Sequence, residues 1–273
     1  MRSILVALAL SAVMVPRPGA AAESVRLHAA GSLRAALTEI AQAFEAREGA
    51  RVEGKFGPSG VLREEIAKGA PAEVFASANM EHPLSLSRDG KAGPVVLFAR
   101  NRLCALARPD FAVDPANLVD RMLDPQVKLG TSTPKADPSG DYAWEVFRKI
   151  ERQRPGSFAA LDGKALKLTG GAASPTPPSG RTIYGLIVER GDADLFLTYC
   201  TNARVAADEI AGARALQLPD DLAVGADYGL TVVKDASPAA YRLALFILSP
   251  DGQGILARHG FSAPTLPAPE DRS

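Results

Sequence analysis

From Val25 onward, short apolar runs alternate with stretches whose apolar residues recur every three or four positions. Val25 to Ala30 reads as a strand that passes through Gly31-Ser32 into a helix over Leu33 to Glu48. In that helix Leu33, Leu37, Ile40 and Phe44 share one face, and Gly49 ends it. Val52 to Phe56 is a second strand, followed by Gly57-Pro58-Ser59-Gly60 and a short helix marked by Leu62 and Ile66 and closed by Gly69. Glu73 to Ser77 reads as a third strand, and Pro94 to Ala107 as a long apolar segment leading out of this unit. A second unit starts near Arg108. It contains strands over Val127 to Thr131, Leu166 to Thr169 and Asp194 to Cys200, a helical face of Tyr142, Val146, Phe147 and Ile150, and a helix around Ile183, Leu186 and Ile187 that stops at Gly191. Tyr228 to Lys234 is a further strand and Ala239 to Leu248 a helix. Such alternation predicts an α/β protein with a mostly parallel sheet covered on both faces. Two units joined by strand-like segments predict two lobes.

The first 22 residues break this pattern. Met1-Arg2 is followed by an uncharged apolar run from Ile4 to Val15, the breaker Pro16-Arg17-Pro18-Gly19 and the small residues Ala20-Ala21-Ala22. This is the layout of a cleaved secretory signal, with the cut near Ala22. Its apolar run of about 12 residues is short of the roughly 20 that span a bilayer. No cysteine follows the cut, so no lipid anchor is expected, and the product is expected to be exported and periplasmic.

Composition narrows the class. Hydrophobic residues make up 47% and charged residues 23%, enough for a packed core. Lys+Arg and Asp+Glu are both 31, and loss of Arg2 and Arg17 with the signal leaves a formal charge of −2. That excludes a general nucleic-acid binder, which needs a basic excess to displace phosphate counterions.

The tripeptide Pro-Ser-Gly occurs at Pro58-Ser59-Gly60, Pro138-Ser139-Gly140 and Pro178-Ser179-Gly180, each ahead of a helix, and Gly31-Ser32 occupies a similar place. Serine at such a point is expected to cap the helix. Helix starts carry unpaired N–H donors and partial positive charge, so several converging starts form an anion site without a cationic side chain. In an open α/β sheet the strands aim such starts at one edge.

Ala29-Ala-Gly-Ser-Leu33, Phe56-Gly-Pro-Ser-Gly60, Gly69-Ala-Pro-Ala72 with Val74-Phe-Ala-Ser-Ala78, and Asp137-Pro-Ser-Gly-Asp-Tyr-Ala143 resemble the periplasmic molybdate-binding proteins. So do Val188-Glu-Arg-Gly-Asp-Ala-Asp194 leading to Tyr199, and Gly260-Phe261. The resemblance implies a type II two-lobe periplasmic-binding fold, with 23–104 and 229–273 in the first lobe and 105–228 in the second. The chain would cross near Leu103 to Ala107 and return near Tyr228 to Val233. It further implies a monomeric receptor, without cofactor and not an enzyme, that passes molybdate or tungstate to an ABC importer. The oxyanion would be held by Ser32 and Ser59 from the first lobe, by backbone amides at Ser139 and Arg181, and by the Tyr199 hydroxyl. Ser139 and Arg181 depart from the small or aliphatic residues usual there. An inward Arg181 would add a charge and a fork of donors, which opens an alternative preference for phosphate, sulfate or a similar anion. None of the five positions is acidic, which argues against an amino-acid receptor.

Other constellations carry less. Cys104 and Cys200 either form a disulfide, which an exported chain retains, or remain two buried thiols. His28, His82 and His259 lack metal-ligand spacing and are read as structural or exposed. Ser59 fails the nucleophile-elbow pattern, since Val61 stands where glycine is required. Trp144, the single tryptophan, is read as a packing residue.

Overall fold

The computed structural model describes residues 23–171 and 174–264. The proposed export signal and the proline-rich end lie outside them.

The first lobe opens with strand β1 (Ser24–Ala30), a single 3-10 turn (Gly31–Leu33) and helix α1 (Arg34–Glu48). The periodic residues Leu33, Leu37, Ile40 and Phe44 are all buried, so the 3.6-residue stripe is the face laid on the sheet. Then come β2 (Arg51–Gly57), α2 (Ser59–Ala67), β3 (Val74–Ser77), α3 (Glu81–Arg88) and the long strand β4 (Val96–Ala107). The second lobe holds α4 (Leu118–Leu123), β5 (Leu129–Ser132), α5 (Pro138–Gln153), α6 (Ser157–Lys164), β6 (Leu166–Thr169), α7 (Ile183–Glu189), β7 (Leu195–Tyr199), α8 (Cys200–Glu209) and β8 (Arg214–Gln217). The chain ends with β9 (Gly225–Val232), α9 (Pro238–Leu248) and α10 (Pro250–Arg258).

The strands run in the order β2-β1-β3-β9-β4-β7-β5-β6, with β8 also on β4. Parallel pairs occupy the outer strands of each lobe: β1 with β2 and β3, and β5 with β6 and β7. The antiparallel pairs all involve β4 or β9, in the middle. The sheet is therefore more mixed than the alternation alone suggests, because the two crossing strands return against their neighbours.

β4 is the physical joint. Its first half, Val96 to Arg102, pairs with β9, and its second half, Leu103 to Ala107, with β7 and β8. β9 pairs with the first-lobe strands along its length, so the return crossing lies before Gly225, earlier than Tyr228 to Val233. Cys104 lies just past the switch and is bridged to Cys200, the first residue of α8, with the two Cα atoms 4.8 Å apart.

Five helices, α3, α4, α6, α8 and α10, are not anticipated from the pattern. In α8, for example, the buried positions are Thr201, Ala203 and Ala206, too weakly apolar to stand out beside the strong run of β7. Cys200, expected to end that strand, instead begins α8.

Candidate functional site

The strand ends of the two lobes enclose a cavity of about 680 Å³. Of the five residues expected to hold an anion, Ser32, Ser59, Arg181 and Tyr199 line it, whereas Ser139 does not.

On the first-lobe side, β1 ends at Ala30 and the 3-10 turn turns Ser32 toward the cavity. Ser32 Oγ lies 3.0 Å from Tyr228 Oη. Tyr228 Oη in turn lies 3.4 Å from Asn101 Nδ2, which also donates to Thr201 Oγ1 at 2.9 Å. The Arg102 N–H donates to Asn101 Oδ1 at 2.8 Å, which fixes the amide with its NH₂ toward Tyr228. Asn101 therefore donates to Tyr228 Oη; in the Tyr228–Ser32 pair either hydroxyl can be the donor, and when Tyr228 donates the Ser32 proton is left for the cavity. Ser59 is buried at the start of α2, and its Oγ accepts the Ala78 N–H at 3.1 Å. Its own proton is then free for a ligand, with no acceptor among the described residues.

The serines are not the helix caps that the repeated tripeptide suggests. Ser59 is already helical and caps nothing. The cap of α5 is Asp137, which accepts the Ser139 N–H at 3.1 Å, with Pro138 at the first helical position. The cap of α7 is Thr182, which accepts the Gly185 N–H at 3.0 Å, while Ser179 sits in the turn before it. The Ser139 amide is thus engaged, and its Oγ is buried without a partner among the described residues.

Arg181 is held by carboxylates. Its guanidinium lies 2.7 Å from Glu189 and 3.4 Å from Glu209, and its N–H donates to Pro178 O at 3.2 Å. The Glu189 partner raises its pKa, so it stays charged. Glu209 also accepts the Thr182 N–H, at 2.8 and 3.0 Å, and the Thr182 hydroxyl at 3.0 Å. A carboxylate of the chain itself therefore sits on the free amide at the start of α7.

Tyr199, at the end of β7, donates across the cavity to Ala78 O at 3.4 Å, and Tyr142 reaches the same carbonyl at 3.5 Å. Burial raises the pKa of Tyr199, Tyr184 and Tyr228, so all three remain neutral hydroxyls. The lobes also touch through backbone. Gly60 N–H donates to Ala136 O at 3.0 Å, and a Cβ on Gly60 would fall 2.3 Å from Lys135 O.

Two acidic residues of this site escape a reading of serines alone. Asp137 and Glu209 both line the cavity. Burial pushes the Asp137 carboxyl up to about 6, partly offset by the Ser139 N–H and the Ser132 hydroxyl. Gly170, at φ +78, lies against it, where a Cβ would fall 2.5 Å from Asp137 Cβ. The signal for Asp137 is present in the sequence: Asp-Pro before a helix is a cap with proline at its first position. Nothing local marks Glu209, which arrives from the far end of α8.

The remaining singled-out residues are placed elsewhere or on the rim. Trp144 Nε1 donates to Asp162 at 2.7 Å and its ring packs on Phe147 in a separate cavity. Burial lowers the pKa of His28 and His82. His259 lines the rim and lies 2.7 Å from Glu39. No group of three or more His, Cys, Asp or Glu among the described residues is arranged to hold a metal.

The model of the bacterial extracellular solute-binding protein family matches residues 25–262. The chain belongs to that family. An uncharacterized protein of Pasteurella multocida is 37% identical over 76% of this chain and 86% of its own length. The molybdate-binding protein ModA of Escherichia coli is 25% identical, covering 87% of this chain and 88% of its own. In fold, the sulfate-binding protein SubI of Mycobacterium tuberculosis superposes with a TM-score of 0.73 at 18% identity, over 89% of this chain and 88% of that one. The resemblance to molybdate-binding proteins is borne out, and so is the type II two-lobe fold. This solute-binding protein is a receptor by family, and no described helix is long and apolar enough to cross a membrane.

Proposed function

We propose that the protein is an exported receptor that binds a tetrahedral oxyanion, foremost molybdate and with it tungstate, and delivers it to an ABC importer as a monomer without a cofactor. The observation that carries this reading is the convergence of Ser32, Ser59 and Tyr199 on one cavity. Ser59 has a proton free to donate, and Ser32 has one when Tyr228 donates to it. A buried dianion is costly unless many donors meet it, and hydrogen bonds to a charged group contribute roughly 1.5–3 kcal/mol each. Similarity to molybdate-binding relatives supports molybdate as the anion.

A second reading, phosphate or sulfate, draws on the departures in the second lobe. The arginine behind it is engaged by Glu189 and Glu209. Within this reading, the acidic groups on the cavity lining favour hydrogen phosphate, which has a proton to donate, over sulfate, which has none. Titration calorimetry of the mature protein with molybdate, tungstate, sulfate, phosphate and thiosulfate decides between the readings. Tight binding of molybdate and tungstate is expected. Binding of phosphate or sulfate alone would move the assignment to the second reading, and Arg181→Ala is expected to leave the ranking of anions unchanged.

A further inference from the structure

Every hydroxyl that reaches the cavity from the first lobe is arranged to donate, yet the second lobe presents Asp137, an acceptor when ionised. A carboxylate beside a bound dianion is repelled by it. The carboxyl cannot turn away. It is tied to the Ser139 N–H as the cap of α5 and backed by Gly170, where even a Cβ would collide with it.

Resting on the oxyanion reading, we infer that Asp137 is a specificity-determining residue whose carboxyl takes up one proton from solvent when a fully ionised oxyanion binds, and then donates it to that anion.

The surrounding charges leave this role to Asp137. Asp141, on the same helix, adds negative charge that favours the protonated form. Tyr184 of α7 and Tyr199 of β7 are neutral, with burial keeping their protons on. Glu209 shares Arg181 and the Thr182 amide, so its charge is compensated. Lys135 precedes the cap, with its backbone N–H on Asp141. Arg34 and His259 lie on the first-lobe part of the lining. Asp137 is also poised for the change, with burial pushing its carboxyl up to about 6. Chemically, molybdate and sulfate carry no proton at neutral pH, whereas hydrogen phosphate brings its own and requires none from solvent.

Calorimetry in two buffers of different ionisation enthalpy counts the protons exchanged. With molybdate at pH 7.5, the wild type is expected to take up close to one proton. Its Kd is expected to rise by up to about tenfold per pH unit above the Asp137 range. Asp137→Asn keeps a capping acceptor and cannot titrate; it should bind molybdate with no proton uptake and a Kd flat within about twofold. Molybdate binding by the wild type without proton uptake overturns the inference, even if the variant fails to fold. So does an uptake that survives in Asp137→Asn. Binding of hydrogen phosphate alone, with no proton taken up, overturns it as well. Absence of heat with every oxyanion is a different failure, since it removes the oxyanion reading and this inference together.

Discussion

The two walls of the cavity meet the same space with opposite chemistry. The first-lobe wall is neutral, and its serines are backed by fixed donors: Asn101 and Tyr228 behind Ser32, and the Ala78 amide on Ser59. The second-lobe wall is charged and largely satisfied from within. Asp137 takes the Ser139 amide, and Glu209 takes the Thr182 amide together with Arg181. One wall presents unspent donors. The other holds acceptors where a helix start would otherwise offer free amides. Affinity for an anion is thus expected to come from the first wall and discrimination among anions from the second.

The largest effect should come from cutting the covalent tie of the second wall. Replacing Cys104 and Cys200 by serine opens a bridge that spans 96 positions. It is expected to cost about 2–5 kcal/mol of stability, read by denaturant unfolding with and without reductant. Next, Ser59→Ala removes a ligand donor and leaves the Ala78 amide unpaired. Oxyanion affinity should fall roughly tenfold to a hundredfold, measured by calorimetry, and an unchanged Kd would place the donors elsewhere.

Asp137→Asn tests the second wall without ligand. Because its pKa is raised in the folded state, Asp137 lowers stability as pH climbs from about 4 to about 6, when only the unfolded chain ionises freely. The variant should therefore match the wild type near pH 4 and exceed it by roughly 1–3 kcal/mol at pH 7. A constant difference across pH would refute the cause. The smallest effect is expected at Tyr228→Phe, which interrupts the donor chain behind Ser32. A loss of roughly two- to tenfold in affinity, with the pH profile untouched, would keep the two walls separate in function.

Much of this division was legible in the residues. The stripe of Leu37, Ile40 and Phe44 and the dense run from Leu195 to Tyr199 announced their elements because burial on one or both faces dictates composition. The first-wall serines were legible because they follow strand ends directly. The second wall was less so. Its caps are Asp137, with proline at the first helical position, and Thr182, which accepts the Gly185 N–H, rather than the serines. Glu209 and the partners of Arg181 come together only through packing of α7 and α8, and no local spacing encodes that. The hydrogen-bonded chain from Asn101 through Tyr228 to Ser32 spans residues remote in sequence for the same reason.

Gly60 has a thermodynamic meaning beyond its fit. With no side chain there, backbone meets backbone between the lobes at Ala136. An apparent dissociation constant is the intrinsic one divided by the fraction of molecules already in the binding-competent form. A bulkier residue at 60 would lower that fraction and weaken every anion by the same factor. A substitution at this glycine, which lies off the cavity lining, is thus expected to scale the affinity for all anions alike, whereas Asp137→Asn is expected to alter their ranking.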